Sequence, residues 1–68
     1  MKNYRLTLQE KNGGFTSFSF IYHEAEHVND VQVYFYNNFS RFTELKSIEE
    51  IDGIHYHTIW SASRGYID

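Results

Sequence analysis

The residues with the clearest chemical potential form the short cluster His23-Glu24-Ala25-Glu26-His27. On a helix, the H-E-x-x-H pattern places two imidazoles on one face as zinc ligands, and its glutamate serves as the general base of a metalloprotease. Here the cluster lies where a predicted strand passes into a predicted helix, so we expect His23 to precede the helix. A catalytic zinc also needs a third ligand and a substrate cleft, for which a chain of 68 residues leaves little room. We therefore do not expect a metalloprotease.

Two further histidines, His55 and His57, alternate along a predicted strand and share one of its faces. Together with His23 and His27 they could supply four imidazoles to a metal ion. The competing interpretation is a solvated strand face on which His55 pairs weakly with Glu50. A small metal-binding protein that uses the His23-Glu24-x-x-His27 cluster is therefore the alternative function, although we predict no bound metal or other cofactor.

Other catalytic patterns are missing from the chain. It has no cysteine, and none of its serines lies in a G-x-S-x-G turn. Gly13-Gly14 falls between two predicted strands, whereas a phosphate-binding loop precedes a helix. The carboxylates Glu44, Glu49, Glu50 and Asp52 fall on mixed faces of a strand and its turn, so nothing pairs them as acid and base. The sequence favours a non-enzymatic protein.

The first predicted element is a β-hairpin over about 3–11 and 15–22. Alternation of apolar and polar residues from Tyr4 to Gln9 is typical of a half-buried strand. Asn12-Gly13 is a strong hairpin-turn signal, and the return strand carries Phe18, Phe20 and Tyr22 on one face. We expect the helix that follows to cover the face bearing Tyr4, Phe18 and Phe20, which argues against base stacking by these rings.

A helix is predicted over about 24–39. The spacing of its apolar residues is that of an amphipathic helix, and Glu24 and Glu26 would lie in its first turn, where the helix dipole favours acids. The stretch 31–36 also has strong β-propensity. If that stretch were a strand, an all-β five-stranded barrel would replace the α+β fold. The predicted stripe comprises Ala25, Val28, Val31, Phe35 and Phe39.

A second hairpin is predicted over about 42–51 and 54–61, with Asp52-Gly53 as a two-residue type I′ turn. This turn would place Ile51 opposite Ile54, Glu49 opposite Tyr56 and Leu45 opposite Trp60. The predicted core face then comprises Leu45, Ile51, Ile54, Tyr56 and Trp60. The predicted outer face comprises Lys46, Ile48, Glu50, His55, His57 and Ile59. We expect Tyr66 and Ile67 to dock back after a loose turn.

The elements together predict a single α+β domain over residues 1–68, in which two hairpins pack on one helix. Six Phe, six Tyr and one Trp exceed what so small a core can hide, so some rings should lie on the surface as binding anchors. The start of the chain is polar and no stretch could span a bilayer, so we expect a cytoplasmic protein without a membrane partner. The net charge is −3 and the segment 24–52 is acidic, which disfavours direct nucleic-acid binding and suits a basic protein surface.

The order strand–strand–helix–strand–strand resembles that of small proteins of phages and mobile elements, among them anti-CRISPR inhibitors. The resemblance depends on Tyr4-Arg5-Leu6-Thr7-Leu8, on the helix Ala25–Phe39 and on the run from Leu45 to Gly53. It implies a stoichiometric inhibitor without catalytic residues, which binds a basic surface of a host complex such as a CRISPR-Cas effector. The net charge is modest for a mimic of DNA, so steric blocking is as plausible a mode as charge mimicry.

We predict that the partner surface joins the outer face of the helix to acids of the second hairpin. A structural subunit that extends its sheet against a second copy of itself, through Phe15–Tyr22 or Ile54–Trp60, is a further class of function. The predicted partner-binding residues are Glu26, Asp30, Val33, Tyr34, Asn37, Glu49, Glu50 and Asp52.

Overall fold

A computed structural model of the chain describes residues 1–11 and 18–67. These residues form one antiparallel sheet and one helix, so the α+β class is confirmed at this coarse level, with strand predominating. In chain order the elements are β1 (Lys2–Glu10), β2 (Phe18–Ala25), α1 (Val28–Asn38), β3 (Thr43–Asp52), β4 (His55–Ser61) and β5 (Gly65–Tyr66).

The strands are arranged in the order β2-β1-β3-β4-β5. The two longest strands, β1 and β3, lie next to each other inside the sheet, where both of their edges are paired. Because β2 and β5 lie at opposite edges and do not pair with each other, the sheet stays open. The barrel alternative is therefore wrong.

The structure confirms the pairing of the two strands of the first hairpin, but not the predicted end of the return strand. Its predicted turn at Asn12-Gly13 lies outside the described residues. The return strand continues past Tyr22 to Ala25, which pairs with Lys2 and is buried. Glu24 and Ala25 are therefore strand residues and the predicted helix start was wrong, because pairing with the full length of β1 extends β2.

Residues 31–36 lie within helix α1, so the prediction of a helix is confirmed for this stretch in spite of its β-propensity. Val31 and Phe35, one helical turn apart, are buried against the sheet, and Val28 and Phe39 pack beside them. His27 is the extended residue that precedes the first turn, and the acid in that turn is Asp30. Burial of an apolar stripe outweighs local propensity here, as is usual for short helices.

The core lies between α1 and one face of the sheet. From Tyr4 to Leu8, every second side chain of β1 points into this core, and β3 contributes two side chains. Helix α1 packs on the core from the other side. The buried apolar residues are Tyr4, Leu6, Leu8, Ala25, Val31, Phe35, Leu45 and Ile48.

Two irregularities in β3 and β4 change which side chains face this core. Opposite β1, the partners of Thr7 and Leu8 are Ser47 and Leu45, which leaves Lys46 as an extra residue. Such a β-bulge resets the alternation of faces along a strand. Leu45 and Ile48 therefore both point inward although they are three residues apart.

The predicted faces of the second hairpin are wrong beyond the bulge. Ile48, predicted on the outer face, is fully buried. Ile51 and Tyr56 pair with each other on the opposite side of the sheet, where Tyr56 is exposed. A second shift between Ile48 and Glu49, whose partners are Trp60 and Thr58, keeps Trp60 on the core side.

The turn of this hairpin also lies one residue further along than predicted. Asp52 pairs with His55, so the two central residues are Gly53 and Ile54. Gly53 has a φ of 62° and is the only one of the two with positive φ. That combination is typical of a type II′ turn and excludes type I′, which needs positive φ at both positions. Ile54 is 88% exposed and is not a core residue.

The C-terminal segment docks on the sheet as predicted. Strand β5 pairs with β4, opposing Tyr66 to Trp60, and the Ile67 amide donates to the Ile59 carbonyl over 2.9 Å. The Tyr66 hydroxyl donates to Oε1 of Gln32 on α1 over 2.8 Å. Among the described residues, no helix has the length and apolar character of a membrane span.

Candidate protein-binding surface

The face of the sheet opposite α1, which we call the open face, is covered by no described element. Antiparallel partners share a face, so the residues paired with Arg5, Thr7 and Gln9 identify it. On β2 these partners are Tyr22, Phe20 and Phe18. The three rings are 50–60% exposed. The first hairpin thus presents a row of aromatic side chains to solvent.

This finding corrects the expectation that the helix covers Phe18 and Phe20. The core face of the hairpin is the one that carries Tyr4, which is buried. Tyr4 pairs with His23, so even-numbered residues of β2 point away from the helix. The alternation in the sequence correctly placed the three rings on one face, but it could not tell which face the helix would occupy.

Arg5 occupies the centre of the open face between two aromatic rings. Its guanidinium carbon lies 4.9 Å from the centre of the Phe20 ring and 4.2 Å from that of Tyr56, which comes from β4. Both distances are within the range of cation–π attraction. Arg5 therefore connects the aromatic row of β2 with the exposed ring on the other side of β1 and β3.

The charge of Arg5 is neutralised by Glu49 on the neighbouring strand. Arg5 Nε donates to Glu49 Oε1 over 3.1 Å, and Thr7 Oγ1 donates to the same oxygen over 3.0 Å. The Ser47 hydroxyl donates to the other carboxylate oxygen. Glu49 is only 4% exposed, so a carboxylate with these partners is held firmly in place. The middle of the open face is consequently polar, ordered and close to neutral.

This composition is typical of a protein-binding surface. Tyr, Phe and Arg are enriched at the centres of protein interfaces, whereas unpaired charge is depleted there. Four rings of roughly 150–250 Å² each, about half exposed, offer some 300–500 Å² of aromatic surface. That area is within the range of the largest apolar patch on a typical monomer, which is often functional.

Charge is distributed unevenly along the sheet. The register brings the end of β2, the start of α1 and the end of β3 to the end at which β1 begins. Lys2 lies there and forms a salt bridge of 3.2 Å with Glu50. Five of the nine acidic residues of the chain lie at this end together with Lys2, so most of the negative charge is found here. The acids at this acidic end are Glu24, Glu26, Asp30, Glu50 and Asp52.

The structure does not bring the eight predicted partner-binding residues onto one surface. Glu49 lies on the open face and is buried, whereas the helix lies on the other side of the sheet. Tyr34 is only partly exposed, and its ring stacks on His23 at 3.8 Å with an angle of 8° between the planes. The remaining six residues lie on the helix side of the sheet or at the acidic end, and four of them are exposed helix or loop residues: Glu26, Asp30, Val33 and Asn37.

The histidine cluster does not take the arrangement that a helical zinc site needs. His23 lies in β2 with its ring on the helix side, Glu24 lies on the open face, and His27 precedes the first turn of α1. His55 and His57 are neighbours on β4, with ring centres 6.3 Å apart. Over residues 1–11 and 18–67, no group of three or more His, Asp or Glu side chains could hold a metal ion.

A cleft of about 380 Å³ lies on the helix side, where α1 leaves part of β3 and β4 uncovered. Its size is at the lower end for small-molecule sites. Phe35 and Trp60 form its apolar walls, while Lys11 and Glu44 give it charges of both signs.

Two groups beside the acidic end have perturbed pKa values. Burial raises the pKa of the Tyr4 hydroxyl, and the nearby Glu50 carboxylate raises it further. The hydrogen bond to Glu50 raises the pKa of Lys2. Both groups therefore stay protonated at neutral pH, and Tyr4 acts as a neutral core residue.

Comparison of the chain with protein-family models, with curated proteins and with solved structures finds no match in any of the three.

Proposed function

We propose that the protein is a non-enzymatic protein-binding domain that contacts its partner through the open face. The observation that carries the proposal is the set of half-exposed rings on an uncovered sheet, Phe18, Phe20, Tyr22 and Tyr56, held around the Arg5–Glu49 pair. Contacts with Arg5 hold the Phe20 and Tyr56 rings in place, so these two side chains have less freedom to lose on binding.

A protein partner suits this surface better than a nucleic acid does. Sheet modules that stack bases combine aromatic rings with positive charges along the backbone path. On the open face the central cation is already paired with Glu49, and the chain as a whole carries −3. Phosphates would therefore find little to neutralise, which removes the main source of nucleic-acid affinity.

The partner that we propose has a basic surface. The acidic end borders the open face at Glu24, whose strand partner is Asn3. Negative charge beside an aromatic patch steers a basic partner and fixes its orientation. Together with the resemblance to small phage proteins, this favours an inhibitor that acts in the host cytoplasm by occupying a nucleic-acid-binding or assembly surface of a defence complex such as a CRISPR-Cas effector.

The test is capture of host proteins on immobilised protein, with two variants designed as a matched pair. Phe20→Ser/Tyr22→Ser removes two rings from the open face, and Val33→Ser/Tyr36→Ser removes two exposed apolar side chains from α1. Loss of two anchors should weaken binding of the captured partner by about 30-fold or more, since hot-spot residues contribute at least about 2 kcal/mol. The helix variant should bind as the wild type does.

Circular dichroism of both variants shows whether each remains folded. Equal affinity of the open-face variant and the wild type for the captured protein would overturn the surface assignment. Capture that disappears after nuclease treatment would identify nucleic acid as the ligand and overturn the choice of a protein partner.

A further inference from the structure

Strand β2 forms an edge of the sheet, and no described strand lies along its outer side. Over its eight residues, Phe18–Ala25, it pairs only with β1 among the described strands. An exposed edge of this length is a template for another strand. Natural edges are usually protected by charged side chains, above all lysine, by proline or by a bulge. Strand β2 has no lysine, no proline and no bulge, and its one charged residue, Glu24, lies next to its last residue.

The opposite edge is better protected. Residues Gly65–Tyr66 of β5 pair with the end of β4 and cover Trp60 and Ser61. The uncovered part of β4 is short and includes His55 and His57. Since β2 is the longer and more apolar edge, it is the stronger candidate for pairing between molecules.

The geometry points to a second copy of the chain as the strand that pairs with β2, in an antiparallel dimer centred on Ile21. A two-fold axis perpendicular to the sheet relates the two strands, so both open faces lie on the same side. Because antiparallel partners share a face, each residue must oppose one of the same parity. Centring on Ile21 pairs all seven residues from 18 to 24.

The side chains of β2 are complementary to themselves in this register. Phe20 of each copy opposes Tyr22 of the other on the open face, an aromatic pair of the kind that stabilises sheets. Ile21 opposes Ile21 on the helix side, and Ser19 opposes His23. The only charged residue, Glu24, opposes Phe18, so the two carboxylates are kept apart.

A second copy is favoured over other occupants because this contact closes. Pairing of β2 with the β4 edge of another molecule would be heterologous and would need further copies, as a ring or an open filament, to cover its edges. Pairing of β2 with itself leaves no free β2 edge. It also joins two open faces into one ten-stranded surface, which doubles the aromatic area available to a partner.

The opposition of Phe18 and Glu24 gives a test that depends on the register. Phe18→Glu places a carboxylate opposite Glu24 of the other copy at two symmetric positions, and Phe18→Lys places an ammonium group there. Both variants lose the same ring, and within one molecule position 18 faces Gln9 in either case. Cross-strand charge pairs are sensitive to sign, so we expect Phe18→Lys to dimerise about tenfold more tightly than Phe18→Glu.

Sedimentation velocity over a range of concentrations measures the dissociation constant of each variant. The wild type should reach a dimer and no larger species, and Glu24→Lys added to Phe18→Glu should restore dimerisation. A wild-type protein that stays monomeric, or that assembles without limit, would overturn the inference. Equal dimerisation of the Phe18→Glu and Phe18→Lys variants would do so as well, by excluding this register. The dimer does not depend on the proposed function, because sedimentation is measured on the purified protein without a partner. The variant Phe20→Ser/Tyr22→Ser changes this seam as well, so its dimerisation is measured beside that of the wild type and a loss of partner capture at equal dimerisation is assigned to the open face.

Discussion

Replacement of Arg5 by Met tests whether the centre of the open face contributes to the stability of the domain. The substitution keeps an unbranched apolar stem and removes the guanidinium. The hydrogen bond of 3.1 Å to Glu49 is lost, and with it the contacts to the rings of Phe20 and Tyr56 at 4.9 and 4.2 Å. Glu49, which is 4% exposed in the wild type, then keeps only hydroxyl donors.

The expected loss follows from these contacts. A hydrogen bond between charged groups contributes about 1.5–3 kcal/mol, and each exposed cation–π contact about 0.5–1 kcal/mol. The Arg5 side chain is 26% exposed, so solvent screens part of the interaction. We expect a loss of about 2–4 kcal/mol, a large fraction of the roughly 3–10 kcal/mol available to a domain of this size.

Urea unfolding measures this loss, with the fluorescence of the single Trp and circular dichroism as probes. Arg41→Met is the matched control, because Arg41 is exposed and its guanidinium carbon lies 5.3 Å from the centre of the exposed Phe42 ring. It should cost about 1 kcal/mol or less. A double-mutant cycle with Glu49→Gln should give a coupling of at least about 1 kcal/mol. A loss below about 0.5 kcal/mol for Arg5→Met, or strictly additive effects, would refute the reasoning.

Four further substitutions test other parts of the structure. Ile48→Ala should lower the free energy of unfolding in urea by about 2–5 kcal/mol, because Ile48 is fully buried. Ile54→Ala should lower it by about 0.5 kcal/mol or less, because Ile54 lies in the exposed turn. The reverse order would contradict the assignment of faces that follows from the bulge in β3. Burial raises the pKa of Tyr4 in the folded state. The contribution of Tyr4 to the free energy of unfolding is therefore constant below pH ~10 and is lost as pH rises through the folded pKa. Tyr4→Phe should reduce the alkaline fall in stability, and an unchanged pH profile would exclude this cause. Gly53→Ala should cost about 1–2 kcal/mol because the φ of 62° is unfavourable for a residue with a Cβ. A steric clash does not contribute, since no atom lies within 4 Å of the added Cβ. A neutral effect on the melting temperature would argue against the turn geometry.

Several local features could be predicted from the sequence because their causes are local. The alternation around Tyr4 predicted β1, and the spacing of Val31 and Phe35 predicted a helix against the β-propensity of the same stretch. Phe18 and Phe20 could likewise be placed on a common face, since the period of a strand is two. These inferences need only the residue and its neighbours in the chain.

The open face and its centre could not be predicted, because they depend on contacts between distant parts of the chain. A single extra residue at Lys46 reverses the faces of β3, buries Ile48 and turns Ile51 outward. Arg5 and Glu49 are 44 residues apart, and only the pairing of β1 with β3 brings them together.

The sequence by itself determined the classes of element and the surplus of aromatic residues, because backbone propensity and apolar periodicity act over a few residues. The tertiary structure decided which of those aromatics are exposed. One helix can cover only one face of a sheet, and the choice of that face is settled by where the strands pair and where a bulge resets their alternation.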